Sequence, residues 1–322
     1  MQPGSTLQSD VSAQAYHADP APKPSLSASI ARVLVKRSPR HAWHKQPRLN
    51  VDLKPKPPTQ EMEDGTALHR LVLGAGSPLA IAPYDSWQSD AAKHFRAAAR
   101  KNHATPVLRE RYERILLPCA ASARKQMKAH QGCSPLFAPG LAEVVAIWLE
   151  GSTYCRLRVD WLPSDPTLPV CDLKFTSKSA APEDWESEVW KEHGLRSAWY
   201  LRGLAAVRGV APPEYRLVVV EISEPFAVSV FAAAADVLAE GREQVDDALE
   251  IWGACMRLKR WPGYAPVVNR VEFPPWRAAK WEEDQPNRRA LAPVARTRRG
   301  KGTPEQVARL QAISSEMGKP LS

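Results

Sequence analysis

Two short runs constrain the fold of this chain more than any other feature. Arg156 to Trp161 (RLRVDW) and Val170 to Phe175 (VCDLKF) alternate charged and apolar residues with period two, and a proline-bearing loop separates them. Side chains two apart on a strand share a face. Extended, the first run puts Arg156, Arg158 and Asp160 on one side and Leu157, Val159 and Trp161 on the other. The second sets Val170, Asp172 and Lys174 against Cys171, Leu173 and Phe175. One face is core and the other charged, so two strands can aim two carboxylates and an ammonium at one place.

That set of groups suits the hydrolysis of a phosphodiester. The reaction calls for a hard divalent cation on oxygen ligands, an activated water, and positive charge near the transition state. Asp160 and Asp172 are the candidate carboxylates, the backbone carbonyl of Leu173 a further oxygen, and Lys174 the group that orients water or offsets developing charge. Two cations about 3.5–4 Å apart would clamp both the attacking and the leaving oxygen. An Asp and a Lys that merely pair across a solvated sheet face would give the same Asp-x-Lys signature. The neighbouring segments decide between the two.

Upstream, Glu143 begins one face of a strand-like run from Val144 to Leu149, and Glu150-Gly151-Ser152 makes a turn that pairs this run with the strand from Tyr154 to Trp161. Glu143 is the third acidic candidate. Further upstream, Asp64-Gly65-Thr66 reads as a helix start with Asp64 as its N-cap, placing His69 one turn in. A helical histidine alone more often packs than ligates. Downstream, residues 183–207 have helical apolar spacing, with Arg196 and Tyr200 four apart on one face where both could meet a phosphate.

In this order, "GTALHRLVLG", "GLAEVVAIW", "CRLRVDWLP", "CDLKF" and the helix of Arg196 and Tyr200 resemble the PD-(D/E)xK nucleases of the RecB type. Within them the chain is most similar to the RecE-like group, the exodeoxyribonuclease VIII domain of phages and prophages. The resemblance runs from about Ser25 to Tyr264. It implies that His69, Asp160 and Asp172 bind metal, that Lys174 is catalytic with Glu143 in or beside the site, and that Arg158 and the Tyr200 helix contact DNA. It also implies a magnesium or manganese exonuclease, two ions per site, that digests linear double-stranded DNA from an end, 5′ to 3′. A ring-shaped homo-oligomer and a single-strand annealing partner follow from the same source. Arg196 stands where the group usually has Gln, and Val159 where it usually has Pro. A binding or scaffold protein that kept the fold without catalysis, or an endonuclease or nickase, are the alternatives.

Composition agrees with a polyanionic partner. Lys and Arg total 44 against 35 Asp and Glu, a formal net charge of +9 and a pI near 9.4, and basic surfaces hold nucleic acid through phosphate contacts. Arg156 joins Arg158, Arg196 and Tyr200 as a candidate DNA contact. Five scattered cysteines contain no C-x-x-C pair, which argues against an iron–sulfur cluster, and no phosphate-binding loop suggests ATP use. No apolar run is long enough to span a bilayer, and the N-terminus lacks a signal-peptide pattern. The expectation is a cytoplasmic protein of a bacterial host, phage or prophage encoded.

The expected fold class is α/β: a restriction-endonuclease-like core with a mixed central sheet of four to five strands flanked by helices. Residues 1–24 are expected to be disordered, 25–275 to form the nuclease domain, and 276–322 a flexible basic tail with a short helix from Thr303 to Met317. A helical stretch from Ala91 to His130 carries Lys93, Arg96, Arg100 and Lys101, a candidate wall of a DNA channel. Trp185 and Trp190 are candidates to stack on a base.

Overall fold

The structure is a computed structural model that describes residues 4–54, 56–277 and 279–286, with 305, 308 and 309. One compact unit ends at Tyr264 and a second begins at Ala265, so the main body closes earlier than residue 275. In the second unit the chain is helical at 275–277 and 279–286. The basic cluster from Arg288 to Lys301 lies outside the described residues, as does most of the expected helix from Thr303 to Met317.

In chain order the main unit contains β1 (Thr6–Gln8), α1 (Ala13–His17), β2 (Leu26–Ser27), α2 (Ala28–Lys36), α3 (Pro39–Lys45), α4 (Gln60–Leu73), β3 (Leu79–Ala82), α5 (Asp90–Lys101) and β4 (Thr105–Leu108). The short α6 (Arg109–Arg111) runs through a π-helical turn into α7 (Leu117–Ala129). Then follow β5 (Gly140–Glu150), β6 (Thr153–Pro163), β7 (Val170–Thr176), α8 (Pro182–Glu188), α9 (Gly194–Arg208), β8 (Tyr215–Glu221), β9 (Val228–Ala232) and α10 (Ala235–Leu258).

The main sheet has seven strands in the order β1-β5-β6-β7-β8-β9, with β2 also on β6. It is mixed: β5 and β6 form the expected antiparallel hairpin, β7 and β8 run parallel, and β9 returns antiparallel. The two strands beyond the expected number are β1 and β2, each too short to show a period. Alternation along β5 and β6 sends Val144, Ala146, Trp148, Leu157 and Val159 into a core shared with α2, α9 and α10. Cys171, Leu173, Val218 and Val220 enter a second core with α4 and α7. At Gly203 of α9 an added Cβ would lie 2.6 Å from the Trp148 ring, so only glycine lets the helix come this close to the sheet.

Four local expectations are corrected. Residues 4–24 are structured, because β1 adds to the sheet edge with Thr6 opposite Ile147 and Asp19 is buried as a hydrogen-bond acceptor. The helix expected to begin at Asp64 begins at Gln60, where the Thr59 side chain accepts the Met62 N–H and Glu61 and Glu63 favour the N-terminal dipole. The stretch from Ala91 to His130 is broken after Lys101 by β4, which pairs in parallel with β3. The helix over 183–207 is divided by a π turn at Val189–His193.

Candidate active site

The main sheet comes apart where the site lies. Strands β6 and β7 are joined by one bridge, Trp161 opposite Cys171; in a regular ladder Asp160 and Asp172 would be the next pair. Two buried carboxylates directly opposite one another repel, and each takes a different partner. Asp160 Oδ2 accepts the Leu173 N–H at 2.7 Å, and its Oδ1 lies 3.8 Å from His69 Nδ1. Asp172 Oδ1 lies 3.2 Å from Arg196 Nη2 on α9. Side chains of α9 also donate to β6 carbonyls. Tyr200 Oη donates to the Arg158 carbonyl at 2.8 Å and Trp199 Nε1 to the Arg156 carbonyl at 3.1 Å.

His69 is delivered by α4, whose buried acids fix the helix in place. Glu63 takes Arg96 and Arg100 of α5, with Arg100 Nε 2.8 Å from Oε1, and Asp64 takes Arg111 with Nε 2.9 Å from both oxygens. Arg96 and Arg100, two of the residues expected on a channel wall, are thus tied to α4. The His69 ring meets Phe175 edge-on at 5.5 Å. Burial pushes its pKa down, with Glu143, Asp172 and the Leu173 backbone acting partly against it. The imidazole is neutral near pH 7 and keeps a lone pair.

Glu143 sits opposite Asp160 in the hairpin register at a left-handed φ of 58°. For a residue with a side chain that conformation costs on the order of 1–3 kcal/mol, and such strain concentrates at functional sites. Glu143 forms an ion pair with Arg158. Burial raises its pKa, chiefly against the pull of Arg158. Asp160 is raised well above the usual carboxylate range, first by burial and then by the Asp172 charge. Two carboxyls that resist ionisation beside a neutral imidazole are groups that gain from a cation.

The donor set fits one. His69, Glu143 and Asp160 each place a ligand atom within 4.8 Å of the others. Two atoms each about 2.1 Å from a single ion can lie up to about 4.2 Å apart, which accommodates the 3.8 Å between His69 and Asp160. Carboxylates with one imidazole suit a divalent cation.

A cavity of roughly 580 Å³ opens beside this group, lined by Arg158, Asp160, Lys174, Arg196 and Tyr200 among others. Lys174 forms no ion pair among the described residues and is exposed. The remaining sequence candidates fall elsewhere. Asp172 is beside the three-ligand group but outside it, held by Arg196. Leu173 engages Asp160 through its N–H. Arg156 is 3% exposed, bound to Asp19 and Ser25 and stacked over Tyr16, so it cannot contact DNA. The Tyr200 hydroxyl is spent on the Arg158 carbonyl. Trp185 packs on Phe231 in the core, while Trp190 is exposed.

Cavity residues that went unnoticed in the sequence include His17 on α1, Arg32 on α2 and His193 on the π turn. His193 is 8% exposed, its Nδ1 has no hydrogen-bond partner, and burial together with Arg196 lowers its pKa to about 4. Ser12, which caps α1 by accepting the Ala15 N–H, was the one available signal for the first.

With this geometry the family can be stated. The model of a PDDEXK-like domain of unknown function (DUF3799) matches residues 82–272. The chain belongs to this family. The DUF3799 match begins downstream of His69, so α4 and the N-terminal elements lie outside it. Among solved structures, the chain is similar to a protein from Eubacterium rectale described as a candidate exonuclease. The two share 10% identity and a TM-score of 0.53, over 83% of this chain and 96% of that one. This likeness shows a shared fold. No functionally curated protein matches the sequence.

Proposed function

We propose that the protein is a divalent-metal-dependent deoxyribonuclease that degrades linear double-stranded DNA from an end. The observation that carries this reading is the meeting of His69, Glu143 and Asp160, from three separate elements, beside Lys174 in a cavity lined by Arg158 and Arg196. Magnesium or manganese held there would supply Lewis acidity to the scissile phosphate and acidify water. His69 offers a neutral nitrogen, and Asp160 and Glu143 offer oxygens whose burial is relieved by a positive ion. Lys174 presents an unpaired ammonium to a phosphate oxygen, where fixed positive charge stabilises the transition state. The basic balance of the chain favours a phosphate backbone as partner.

The name of the Eubacterium rectale protein and the resemblance to the RecE-like group both favour an exonuclease. The resemblance alone supports 5′-to-3′ polarity, a 3′ single-stranded product for recombination, a ring-shaped oligomer, an annealing partner, and work in the cytoplasm of a phage-bearing host. No helix among the described residues is long and apolar enough to cross a membrane.

Linear and covalently closed circular duplex, each incubated with magnesium or EDTA, test the reading on one gel. Loss of the linear form alone, and only with magnesium, is the expected result. Cutting of the circle would indicate an endonuclease or nickase, and absence of cutting on both would leave a binding protein on a nuclease fold.

A further inference from the structure

We infer that His193 is a substrate-contacting residue, donating a hydrogen bond from Nε2 to a phosphate oxygen of DNA that lies in the cavity. The inference rests on the reading that DNA enters there, and adds a contact that stands apart from the metal group and from Lys174.

The ring has a hydrogen-bonding capacity that the protein does not use. His193 is 8% exposed and its Nδ1 is enclosed without a partner. A proton on Nδ1 would go unbonded, and an unsatisfied buried donor is costly. The ring is neutral at pH 7, since burial and Arg196 hold its pKa at about 4. Its one proton therefore sits on Nε2, the nitrogen left to meet the cavity that His193 lines. Arg158 and Arg196, on the same cavity, each keep a buried Nε without a partner as well. Donors short of acceptors around one hollow suit an oxygen-rich anion, and a phosphodiester carries two free oxygens. A neutral donor among these cations adds direction without adding repulsion.

The backbone that carries the ring is clamped on two sides. Glu192, the preceding residue, is ion-paired with Arg32 and lies 3.2 Å from Lys36 Nζ, both on α2, and Lys36 also donates to the Lys191 carbonyl. Gly194, the following residue, lies so close to α10 that a Cβ added at Gly241 would come 2.4 Å from its carbonyl oxygen. A donor fixed in this way loses little freedom when it binds, which is what a contact of defined geometry requires.

The dinucleotide thymidylyl-(3′,5′)-thymidine carries one phosphodiester and is too short to span dispersed surface charge. Its affinity for the full chain in EDTA at pH 8, measured by calorimetry, tests the contact without any cleavage. His193→Gln, whose amide places an N–H near the position of Nε2, is expected to bind within about threefold of wild type. His193→Leu should bind about tenfold or more weakly, the loss of one hydrogen bond to a charged acceptor, while melting at or above the wild-type temperature because an unsatisfied polar group is gone. A packing histidine predicts the reverse: His193→Leu binding as tightly as wild type would overturn the inference. Equal weakening in the Gln and Leu variants, or no binding to the wild type, would overturn it too. Should His193→Leu not fold, His193→Asn, one methylene too short to reach, is expected to show the same tenfold loss, and wild-type affinity there would sink the contact. Discrimination among the variants by a wild-type chain that cuts no duplex would instead remove the nuclease reading and leave the phosphate contact standing.

Discussion

Arg156 and Asp19 form an ion pair sealed inside the protein, Nη1 to Oδ1 at 3.1 Å, with the two side chains 4% and 0% exposed. The pair ties a segment that sequence alone leaves without structure to the central hairpin. Asp19 also accepts the Ser25 N–H at 2.8 Å and its hydroxyl at 2.6 Å.

Removing one partner of such a pair leaves a buried charge uncompensated and costs about 3–5 kcal/mol. Arg156→Ala is therefore expected to lower the urea midpoint sharply, while DNA cleavage per folded molecule stays within about threefold of wild type. Unchanged stability with lost cleavage would return Arg156 to the role of a phosphate contact.

Lys174→Ala removes a fixed positive charge from the cavity and leaves the three candidate metal ligands in place. Single-turnover cleavage should fall by about 10²–10³-fold, the range for loss of one transition-state-stabilising group. Duplex affinity, which rests on dispersed surface charge, should change by less than about threefold. Cleavage at the wild-type rate would remove Lys174 from the mechanism.

Asp160→Asn should trade activity for stability. The folded state raises the Asp160 pKa through burial and Asp172, so the unfolded chain gives up this proton at lower pH than the folded protein does. Between those two values stability falls as pH rises, and above the folded value the loss is constant. An amide oxygen can still accept the Leu173 N–H. Metal-free Asp160→Asn is expected to melt several degrees above metal-free wild type at pH 8, and to match it near pH 3.5. A lower melting temperature at pH 8 would mean that Asp160 is stabilised by its surroundings.

His193 has the opposite pH signature. Its pKa is lowered to about 4 by burial and by Arg196, below the usual histidine value of about 6.5. The unfolded state takes up the proton first as pH falls, so stability is lost between about 6.5 and 4 and levels off below that. The full effect is on the order of 3 kcal/mol. His193→Gln, which cannot protonate, should flatten the acid side of the stability profile over this window. Parallel wild-type and variant curves from pH 7 to 4 would refute the assignment.

The parts of the fold that were legible in sequence are those in which a chain segment reports its own environment. The hairpin of β5 and β6 and strand β7 are of this kind, marked by the turn at Glu150-Gly151-Ser152 and by alternating side chains along β6 and β7. The resemblance implies His69, Asp160 and Asp172 as metal ligands with Glu143 in or beside the site, and of these His69, Glu143 and Asp160 are the ones the structure brings together. The pairing of Asp172 with Arg196, by contrast, depends on the β6–β7 ladder ending at Trp161 and Cys171, which no local pattern records. The same holds for Arg156, whose place on a charged strand face reads identically whether water or Asp19 covers it. The π turn before α9 is equally silent, because its residues Val189 to His193 look like ordinary helix.

At the level of the site, the hairpin is sewn to the strands beyond it by a side chain, the Asp160 carboxylate on the Leu173 amide. A backbone stitch is permanent, whereas this one carries a charge and can be recruited for other work. Whatever the carboxylate does in turnover is thus felt along the seam, which ties the chemistry of the site to the join between the two halves of the sheet.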